Sequence, residues 1–517
     1  MADKEFYQVI ERHAVEHPDQ VLITIDQQSI TYKEFITNTK RIASSMYAWG
    51  VRKDTKVGIV LYNSVRWYEL FFSAVYLGAQ PVPIDPQSGI LELEHLFSYT
   101  GISYCFFAKE YRSNQILEIV RKLNPEIREQ SMFILAAGEE EERPSYIYSF
   151  EQFLEKKIIK ELLEQQYAVV DEKRVMSLAC TSGSTGNPKI LTVPYMGFFE
   201  AIKDMGDYLE FQPDDTMMIG MPLYHQGGFG MGLQMVVKGG SVIYQPQFDP
   251  TMFLKTVEER KVTVIQLTAT LAKILLSHPE FDHYDLSSVR ICYFAGEVLP
   301  ADIAKVFVET LHIRVVNIIG SSETATMVVW DSEYDYEVDP SDFRELPFTK
   351  AALVDETGKE SEIGELKIYT SAIIFNYFGN EQATKDTVLI EDGRRYFLTG
   401  DMAKRLPDGR LRFLGRSKRI IKRGANLVHA EEVESALLLH PRVQAVAIIP
   451  KKHEVFGEQI VAYVQTADGE TITRGEVARY LKGKISAYKI PDKVLVSEEI
   501  PHDIGKVQFK YMKGGKR

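Results

Sequence analysis

The sequence predicts a layered α/β fold divided into two or three domains. Apolar runs of strand length alternate with amphipathic helical segments through the first half of the chain, and this alternation is typical of βαβ units. At 517 residues, the chain is also too long for one ordinary hydrophobic core. The predicted strands are residues 57–61, 217–220, 262–267 and 289–294, the first predicted helix is residues 67–77, and residues 81–84 are expected to be extended.

The composition indicates a globular enzyme of the cytoplasm. Apolar residues make up 45% of the chain and charged residues 26%, as in ordinary soluble proteins. No window approaches the roughly 18 to 20 consecutive apolar residues that a membrane helix needs, and the first residues lack the apolar segment of a secretory signal. Because the three cysteines have no metal-binding spacing, we expect buried thiols in a reducing compartment at Cys105, Cys180 and Cys292.

The charge is distributed unevenly along the chain. The net charge is −12, yet residues 416–517 contain 19 Lys and Arg against 12 Asp and Glu, whereas the preceding residues contain 41 against 60. A small basic part and a large acidic part suit a site that closes over anionic substrates, although a general electrostatic match between domains would give the same pattern. Nucleic acid is not an expected partner, because the basic residues are dispersed and no binding motif accompanies them.

Two stretches interrupt the α/β pattern. Residues 138–160 are charged and poor in strand signals, so we expect a surface excursion there. The chain changes character again near residues 415–419 (GRSKR), after which about 100 residues read as a compact αβ unit with a Lys- and Gly-rich tail. We therefore place a domain boundary between residues 1–416 and residues 417–517.

A loop rich in glycine and hydroxyl side chains follows the apolar run 175–180. Two glycines allow the backbone to approach a ligand closely, the hydroxyls offer hydrogen-bond donors, and a lysine adds a positive charge, which together predict a polyphosphate site. The spacing is not that of a Walker P-loop. The candidate residues are Thr181, Ser182, Gly183, Ser184, Thr185, Gly186 and Lys189.

Five further motifs follow this loop in order. They are residues 221–228 (MPLYHQGG), 295–297 (AGE), 317–324 (NIIGSSET), 396–401 (YFLTGD) and 500–506 (IPHDIGK). In this order they resemble the adenylate-forming superfamily of acyl- and aryl-CoA synthetases, peptide-synthetase adenylation domains and beetle luciferases. The resemblance runs from residues 31–35 (TYKEF) to Lys506. It implies a large N-terminal domain of layered α/β sheets with a β-barrel-like part, and a small mobile α+β domain that carries a catalytic lysine.

The resemblance implies that a carboxylate attacks the α-phosphate of ATP, giving an acyl-adenylate and pyrophosphate. Such chemistry needs positioning and charge neutralisation more than covalent help. Glu323 would coordinate Mg²⁺, Asp401 would accept hydrogen bonds from the ribose hydroxyls, and Arg416 would contact ribose or phosphate. Lys506 would bridge the α-phosphate and the substrate carboxylate. The resemblance adds Gly296, Glu297 and Ser322 to the nucleotide site.

Two residues keep an alternative interpretation. His225 would border the carboxylate pocket, although a half-buried structural histidine beside an aromatic ring is an ordinary occurrence. Lys418 falls where the family has a hinge residue whose torsions change as the small domain rotates, although a solvated linker lysine would look the same.

Four positions depart from the family pattern. Ile190 replaces a glycine after Lys189, which leaves the preceding phosphate contacts in place. Ile319 replaces an aromatic that stacks on adenine, with an expected loss of roughly 0.5–1.5 kcal/mol. Ala425 replaces a glycine beside the pantetheine tunnel, and residues 266–270 (QLTAT) replace a run that usually carries two prolines near the acyl pocket.

These observations predict an acid–thiol ligase that uses ATP, Mg²⁺ and coenzyme A. An adenylating enzyme that loads an acyl or peptidyl carrier protein is the alternative, and an inactive nucleotide-binding homologue is a remote one. No aspartate that would grip an α-amino group is evident, which favours an aliphatic or aromatic acid. Fatty acid is preferred because Gly227, Gly228, Gly230 and Gly232 would leave a channel for an acyl chain, although they would equally allow tight helix packing. A homodimer is a further expectation.

Overall fold

The structure is a computed structural model that contains two compact units. It describes residues 5–139, 143–165, 171–181, 189–296, 299–416, 420–423, 426–453, 457–467, 469–482, 485, 489–497, 500, 502–503 and 506–507. The first unit comprises residues 1–296, 305–327 and 369–397, and the second comprises residues 297–304, 328–368 and 398–517. The predicted mixed α/β class is confirmed.

Helices and strands alternate along the chain. The helices are α1 (Phe6–Glu16), α2 (Tyr32–Ala48), α3 (Val65–Tyr76), α4 (Ile90–Thr100), α5 (Ile116–Lys122), α6 (Pro125–Gln130), α7 (Phe150–Glu155), α8 (Lys160–Gln165), α9 (Tyr195–Tyr208), α10 (Gln226–Val236), α11 (Pro250–Glu259), α12 (Ala269–Leu276), α13 (Ala301–Lys305), α14 (Ser332–Asp335), α15 (Glu381–Thr387), α16 (Ala430–Leu438) and α17 (Arg474–Leu481). A 3₁₀ turn spans Phe281–His283 and a π-helical turn spans Val306–Thr310.

The strands are β1 (Val21–Ile25), β2 (Gln28–Thr31), β3 (Lys56–Val60), β4 (Gln80–Pro83), β5 (Tyr104–Ala108), β6 (Met132–Ala137), β7 (Ile147–Ser149), β8 (Val175–Thr181), β9 (Lys189–Pro194), β10 (Thr216–Ile219), β11 (Ser241–Tyr244), β12 (Val264–Leu267), β13 (Ile291–Ala295), β14 (Arg314–Ser321), β15 (Ala325–Asp331), β16 (Asp342–Glu345), β17 (Lys350–Val354), β18 (Ile363–Tyr369), β19 (Val388–Glu391), β20 (Arg394–Arg405), β21 (Leu411–Arg416), β22 (Ile420–Arg423), β23 (Asn426–His429), β24 (Val443–His453), β25 (Gly457–Thr466), β26 (Lys493–Val496), β27 (His502–Asp503) and β28 (Lys506–Val507). The predicted strands and helix of the first half lie within one or two residues of observed elements.

The first unit contains a five-stranded parallel sheet in the order β4-β3-β5-β6-β7. Parallel sheets need helical cover on their faces, and α3 is buried along almost its whole length, which agrees with its nearly all-apolar sequence. The expectation of a surface excursion at residues 138–160 was wrong in part. Strand β7 pairs with β6, and Phe150 and Phe153 of α7 are buried.

A second sheet of the first unit has the order β14-β13-β12-β10-β11-β1-β2. Its strands from β14 to β1 are parallel to their neighbours, and β2 closes the edge as an antiparallel hairpin. The carboxyl ends of β10, β12, β13 and β14 therefore lie at one edge, which is where open α/β sheets bind ligands.

A capping interaction between neighbouring residues explains why helix α2 begins at Tyr32. At the start of α2, the Thr31 side chain accepts from the Glu34 amide, while the Glu34 carboxylate accepts from the Thr31 amide at 2.8 Å. This reciprocal cap satisfies two backbone donors that a helix start leaves without partners. The TYKEF motif is thus first of all a helix-capping motif.

The second unit is built mainly from antiparallel strands. One group has the order β17-β18-β20-β21-β16-β15, and a second group has the order β23-β22-β25-β24, with β26 parallel to β25. Helices α16 and α17 cover the second group over a core that includes Val433, Leu437 and Val477. Residues 417–419 lie outside the described residues, so the boundary at residue 416 stays a prediction.

Two of the three cysteines match their expected burial. Cys105 and Cys292 are buried in β5 and β13, whereas Cys180 near the end of β8 is half-buried. Within the described part of the chain, no helix combines the length and apolar character that crossing a bilayer requires.

Candidate active site

The predicted phosphate loop joins the two strands of a hairpin. Strands β8 and β9 pair antiparallel, with Thr181 opposite Lys189, and the Thr181 hydroxyl donates to the Lys189 carbonyl at 3.3 Å. The two ends of the loop are thereby held together. Residues 182–188, which include the predicted contacts Ser182, Gly183, Ser184, Thr185 and Gly186, lie outside the described residues.

A segment that the sequence did not single out, residues 374–378, lies against β9. Its amides and carbonyls exchange hydrogen bonds with Ile190 and Thr192: the Phe378 amide donates to the Ile190 carbonyl at 2.8 Å, and the Thr192 amide donates to the Asn376 carbonyl at 3.0 Å. The Ile374 amide also donates to the Glu323 carbonyl at 3.0 Å. This segment therefore joins the end of the phosphate loop to the Glu323 turn.

Tyr377 of that segment links the two charged candidates of the first unit. Its hydroxyl donates to Glu323 Oε1 at 3.0 Å, and Lys189 Nζ lies 4.7 Å from the centre of its ring. The side chain is only 4% exposed, so the ring is held by packing. The hydrogen bond fixes one carboxylate oxygen, and the ring attracts the ammonium group by a cation–π contact. Tyr377 is thus a site residue that sequence reasoning missed.

The Glu323 turn is stabilised by its own hydroxyl groups. The Glu323 amide donates to Ser321 Oγ at 3.2 Å, and Ser321 Oγ lies 3.0 Å from Thr324 Oγ1. Ala325, two residues after Glu323, has φ +57°, a left-handed conformation that non-glycine residues seldom adopt. Ser322 and Glu323 are half-exposed. The turn therefore presents the Glu323 carboxylate at the carboxyl end of β14 in a defined orientation.

His225 lies at the start of α10, where it is the N-cap residue. It is half-buried, and its ring centre lies 4.7 Å from that of Tyr224. The placement at the carboxyl end of β10 suits a residue that borders a ligand, and the aromatic neighbour equally suits a structural histidine. Both interpretations of His225 remain.

Neighbouring atoms occupy the space beside the glycines of α10. A Cβ atom at Gly228 would overlap the Pro222 carbonyl, and one at Gly232 would overlap the Tyr244 hydroxyl. A Cβ atom at Gly230 would lie 3.1 Å from the Phe198 ring, and one at Gly227 would lie 3.1 Å from the Met221 methyl group. These glycines permit close helix packing, so they do not support a channel for an acyl chain.

Gly296 and Glu297 follow β13 at the same sheet edge. Gly296 has φ +88°, which glycine adopts without strain, and a Cβ atom there would meet nothing within 4 Å. Open space beside this backbone agrees with a ligand-facing position. Glu297 lies outside the described residues.

Asp401 belongs to the second unit. It lies in β20, it is 2% exposed, and its backbone is the cross-strand partner of Arg416 in β21. The Thr399 hydroxyl accepts from the Asp401 amide at 3.0 Å and donates to the Leu366 carbonyl at 2.9 Å. Gly400 between them has φ +74°. The structure thus places Asp401 and Arg416 side by side in one strand pair.

The remaining lysines are only partly described. Lys506 lies in β28, where it pairs with Asp503 of β27, but its side chain lies outside what is described. Lys418 also lies outside the described residues, and so does Ala425. The expectations for these three residues stay predictions.

The residues of the first unit suit Mg²⁺ that is held mainly by phosphates. Among the described residues, no group of three or more His, Cys, Asp and Glu forms a ready-made metal cage. Mg²⁺ commonly binds through one or two carboxylates together with substrate phosphates and water. The single carboxylate of Glu323 fits that pattern.

Three of the departures from the family pattern lie in described parts, and one of them, residues 266–270, runs from the end of β12 into α12. Ile190 is 1% exposed, so its side chain belongs to the core beneath the hairpin. Ile319 is half-buried near the end of β14, where it offers an aliphatic surface.

The comparison with known families covers most of the chain. The family described as AMP-binding enzyme matches residues 10–378, and the AMP-binding enzyme C-terminal domain matches residues 432–504.

Several known proteins are similar to this chain over most of their length. A putative acyl-CoA synthetase, YngI of Bacillus subtilis, is 27% identical over 97% of this chain and 95% of its own. The mitochondrial medium-chain acyl-CoA ligase ACSF2 of Rattus norvegicus is 26% identical over 98% of this chain and 87% of its own. The o-succinylbenzoate CoA synthetase MenE of Bacillus subtilis, solved with the acyl-adenylate OSB-AMP, superposes with a TM-score of 0.84 at 20% identity, covering 98% of each chain. The last similarity establishes the fold.

Proposed function

The chain belongs to the AMP-binding enzyme family, and on that premise we propose that it activates a carboxylic acid with ATP and transfers the acyl group to coenzyme A. In the first step, a carboxylate oxygen bonds to the α-phosphorus of ATP and the bond to pyrophosphate breaks. In the second step, the thiol sulfur of coenzyme A bonds to the acyl carbon, AMP leaves, and the thiol proton passes to solvent.

The observation that carries this proposal is the linked set of Lys189, Tyr377 and Glu323. A cation and a carboxylate are held by one buried tyrosine at the mouth of a glycine- and hydroxyl-rich loop. The loop and Lys189 would hold the β- and γ-phosphates, and Glu323 would hold Mg²⁺, which neutralises phosphate charge when bound. Tyr377 would keep the carboxylate and the ammonium group from pairing directly, so that both remain directed towards the nucleotide.

Asp401, Arg416 and Lys506 would supply the ribose and carboxylate contacts. Asp401 is buried and lies beside Arg416, which suits an acceptor for two ribose hydroxyls next to a cation for ribose or phosphate. Lys506 would neutralise the negative charge shared by the α-phosphate and the attacking carboxylate. We propose Lys418 as the hinge residue on the same family pattern.

A fatty acid is the first acid class to test. The support is the similarity to the medium-chain acyl-CoA ligase ACSF2, together with the lack of a sequence signal for an α-amino group. The α10 glycines add no support. Aryl acids stay in the panel, because the MenE synthetase was solved with OSB-AMP, the acyl-adenylate of o-succinylbenzoate, an acid that contains an aromatic ring.

The decisive experiment is acid-dependent exchange of labelled pyrophosphate into ATP. Fatty, aryl and amino acids should be compared in the presence and absence of Mg²⁺, and we expect one class to stimulate exchange only with Mg²⁺. Silence across the whole panel would contradict the proposed function.

The role of Lys506 has its own test. We expect Lys506→Ala to lose pyrophosphate exchange by about 10²-fold or more while ATP affinity changes little, because its charge acts where bonds change rather than where the nucleotide docks. Lys493→Ala, at an exposed lysine of β26, is the matched control. Near wild-type exchange in Lys506→Ala would show that the residue was misassigned.

The acceptor is tested by adding thiols to the acyl-adenylate reaction. Formation of an acyl-CoA with free coenzyme A is the expected result. If only a holo-carrier protein is acylated, the enzyme loads carrier proteins instead. A cytoplasmic location and a homodimer are further proposals, to be checked by fractionation and by sedimentation.

A further inference from the structure

Two glutamines place amide atoms in the interior at the ligand-binding edge of the first unit. Gln266 is at the carboxyl end of β12 and is 0% exposed, and Gln226, the first residue of α10, is half-buried. Glutamine is seldom buried, because its amide offers two donors and two acceptor lone pairs that must be satisfied. We call Gln226 and Gln266 the glutamine cluster.

The members of the glutamine cluster are connected through Met221. Gln266 Oε1 accepts from the Met221 amide at 3.3 Å, and the Met221 methyl group in turn lies against Gly227, next to Gln226. Met221 therefore contacts Gln266 through its amide and the residue next to Gln226 through its side chain, which links the carboxyl end of β12 to the start of α10.

Several hydrogen-bonding atoms of the glutamine cluster have no partner among the described residues. They are both amide atoms of Gln226 and Nε2 of Gln266, and all three are buried. Leaving a buried donor or acceptor without a partner costs roughly 1–3 kcal/mol each. Two residues with this cost at one sheet edge are better explained by a ligand than by packing, since apolar side chains would fill the same space without it.

The position of the cluster points to the acid rather than to ATP. It lies at the carboxyl ends of β10 and β12 and at the amino end of α10, beside His225, which the family pattern places at the carboxylate pocket. Gly227 is exposed, so this end of the helix is accessible from solvent.

The chemistry of the free atoms defines the group that would bind. They include donors and acceptors, and a hydroxyl is the small neutral group that both donates and accepts. The amides are uncharged, so an ammonium group or a second carboxylate would be buried without a charged partner, at high cost. Resting on the proposed function, we propose that the acid substrate carries a hydroxyl group beyond its carboxylate and that Gln226 and Gln266 bind this hydroxyl.

The test compares matched acids that differ by one hydroxyl. Octanoate is paired with its 3-, 5- and 8-hydroxy derivatives, and phenylpropanoate with its ring-hydroxylated derivatives, and kcat/KM is measured by AMP formation. We expect at least one hydroxylated acid to exceed its parent by about tenfold or more, because a site built for a hydroxyl discriminates strongly against its absence.

Variants then identify the residues responsible. Gln226→Met is the primary variant, since neither of its amide atoms has a described partner, and Gln266→Met is the second. Each should reduce the ratio of kcat/KM for the hydroxylated acid to kcat/KM for the parent acid roughly five- to tenfold. Gln80→Met is the matched control, because Gln80 is a buried glutamine whose amide donates to Asp54 at 3.0 Å, and it should leave the preference unchanged.

Failure of this inference and failure of the proposed function give different results. If a parent acid is activated and no hydroxylated acid exceeds it, or if Gln226→Met and Gln266→Met both keep the wild-type preference, the glutamine cluster is structural and only this inference falls. If no acid gives AMP, the proposed function falls and this inference with it. If Gln266→Met does not fold because the Met221 amide loses its acceptor, the outcome with Gln226→Met decides.

Discussion

Tyr377→Phe removes one hydroxyl and leaves the aromatic ring under Lys189. In the structure that hydroxyl donates to Glu323 Oε1 at 3.0 Å. A hydrogen bond to a charged group contributes about 1.5–3 kcal/mol, and because Glu323 is half-exposed, we take the lower end of that range. A loss of about 1.5 kcal/mol corresponds to roughly a tenfold change. We therefore expect kcat/KM for ATP in the adenylation step to fall about tenfold.

The assay is acid-dependent pyrophosphate release over a range of Mg²⁺ concentrations. A carboxylate that is no longer oriented should need more Mg²⁺, so the half-saturating Mg²⁺ concentration should rise along with the loss in kcat/KM. Tyr377→Leu should lower kcat/KM a further few-fold, since it also removes a cation–π contact of about 0.5–1 kcal/mol. In a Glu323→Gln background, Tyr377→Phe should lower kcat/KM much less, because the Tyr377 hydroxyl and the Glu323 carboxylate act as one unit.

Tyr99→Phe is the control for this prediction. The Tyr99 hydroxyl donates to the Phe378 carbonyl at 2.7 Å, so the variant loses a hydrogen bond to the same segment without touching Glu323. The reasoning is refuted if Tyr377→Phe and Tyr99→Phe have the same kcat/KM and the same Mg²⁺ dependence.

Three further predictions concern stability and accessibility. Burial acts to raise the pKa of Asp215, but its hydrogen bonds with Arg290 lower the pKa overall; the pair therefore stabilises the fold above the ordinary aspartate pKa of about 3.9. Arg290→Met should lower the Tm at pH 7 by a few degrees, with a difference that shrinks as the pH falls through the lowered pKa, and a pH-independent difference would contradict this. Gly232→Ala should lower the free energy of unfolding by about 1–3 kcal/mol, because the new methyl group would overlap the Tyr244 hydroxyl. If the variant instead changed the preference for the length of the acyl chain at an unchanged Tm, the interpretation of these glycines as an acyl channel would be restored. Burial raises the pKa of the Cys105 thiol, so alkylation at pH 8 should require unfolding, and rapid labelling of the native protein would show that β5 is accessible.

Much of the fold followed from local patterns. The strand and helix positions of the first half could be predicted because an apolar run or an amphipathic period is a property of neighbouring residues. The charged stretch at residues 138–160 was misjudged, because β7 is short and depends on pairing with β6, and pairing between distant segments leaves little trace in a short sequence window.

The candidate site also contains residues that could be predicted from the sequence and one that could not. Glu323, Asp401 and Lys189 could be selected from motifs, since their residue types and neighbours carry the chemistry. Tyr377 could not, because its value comes from a hydrogen bond to a residue 54 positions away and from a ring placed beside Lys189.

The sequence alone determined the family resemblance, the α/β class and most charged candidates. Only the tertiary structure decided that Pro222, Phe198 and Tyr244 occupy the space beside the α10 glycines, and that Gln226 and Gln266 place amide atoms in the interior at one sheet edge. The physical reason is that a glycine or a glutamine has the same appearance in any sequence. Whether it leaves space, fills space or offers a free hydrogen bond depends on which distant atoms the fold brings against it.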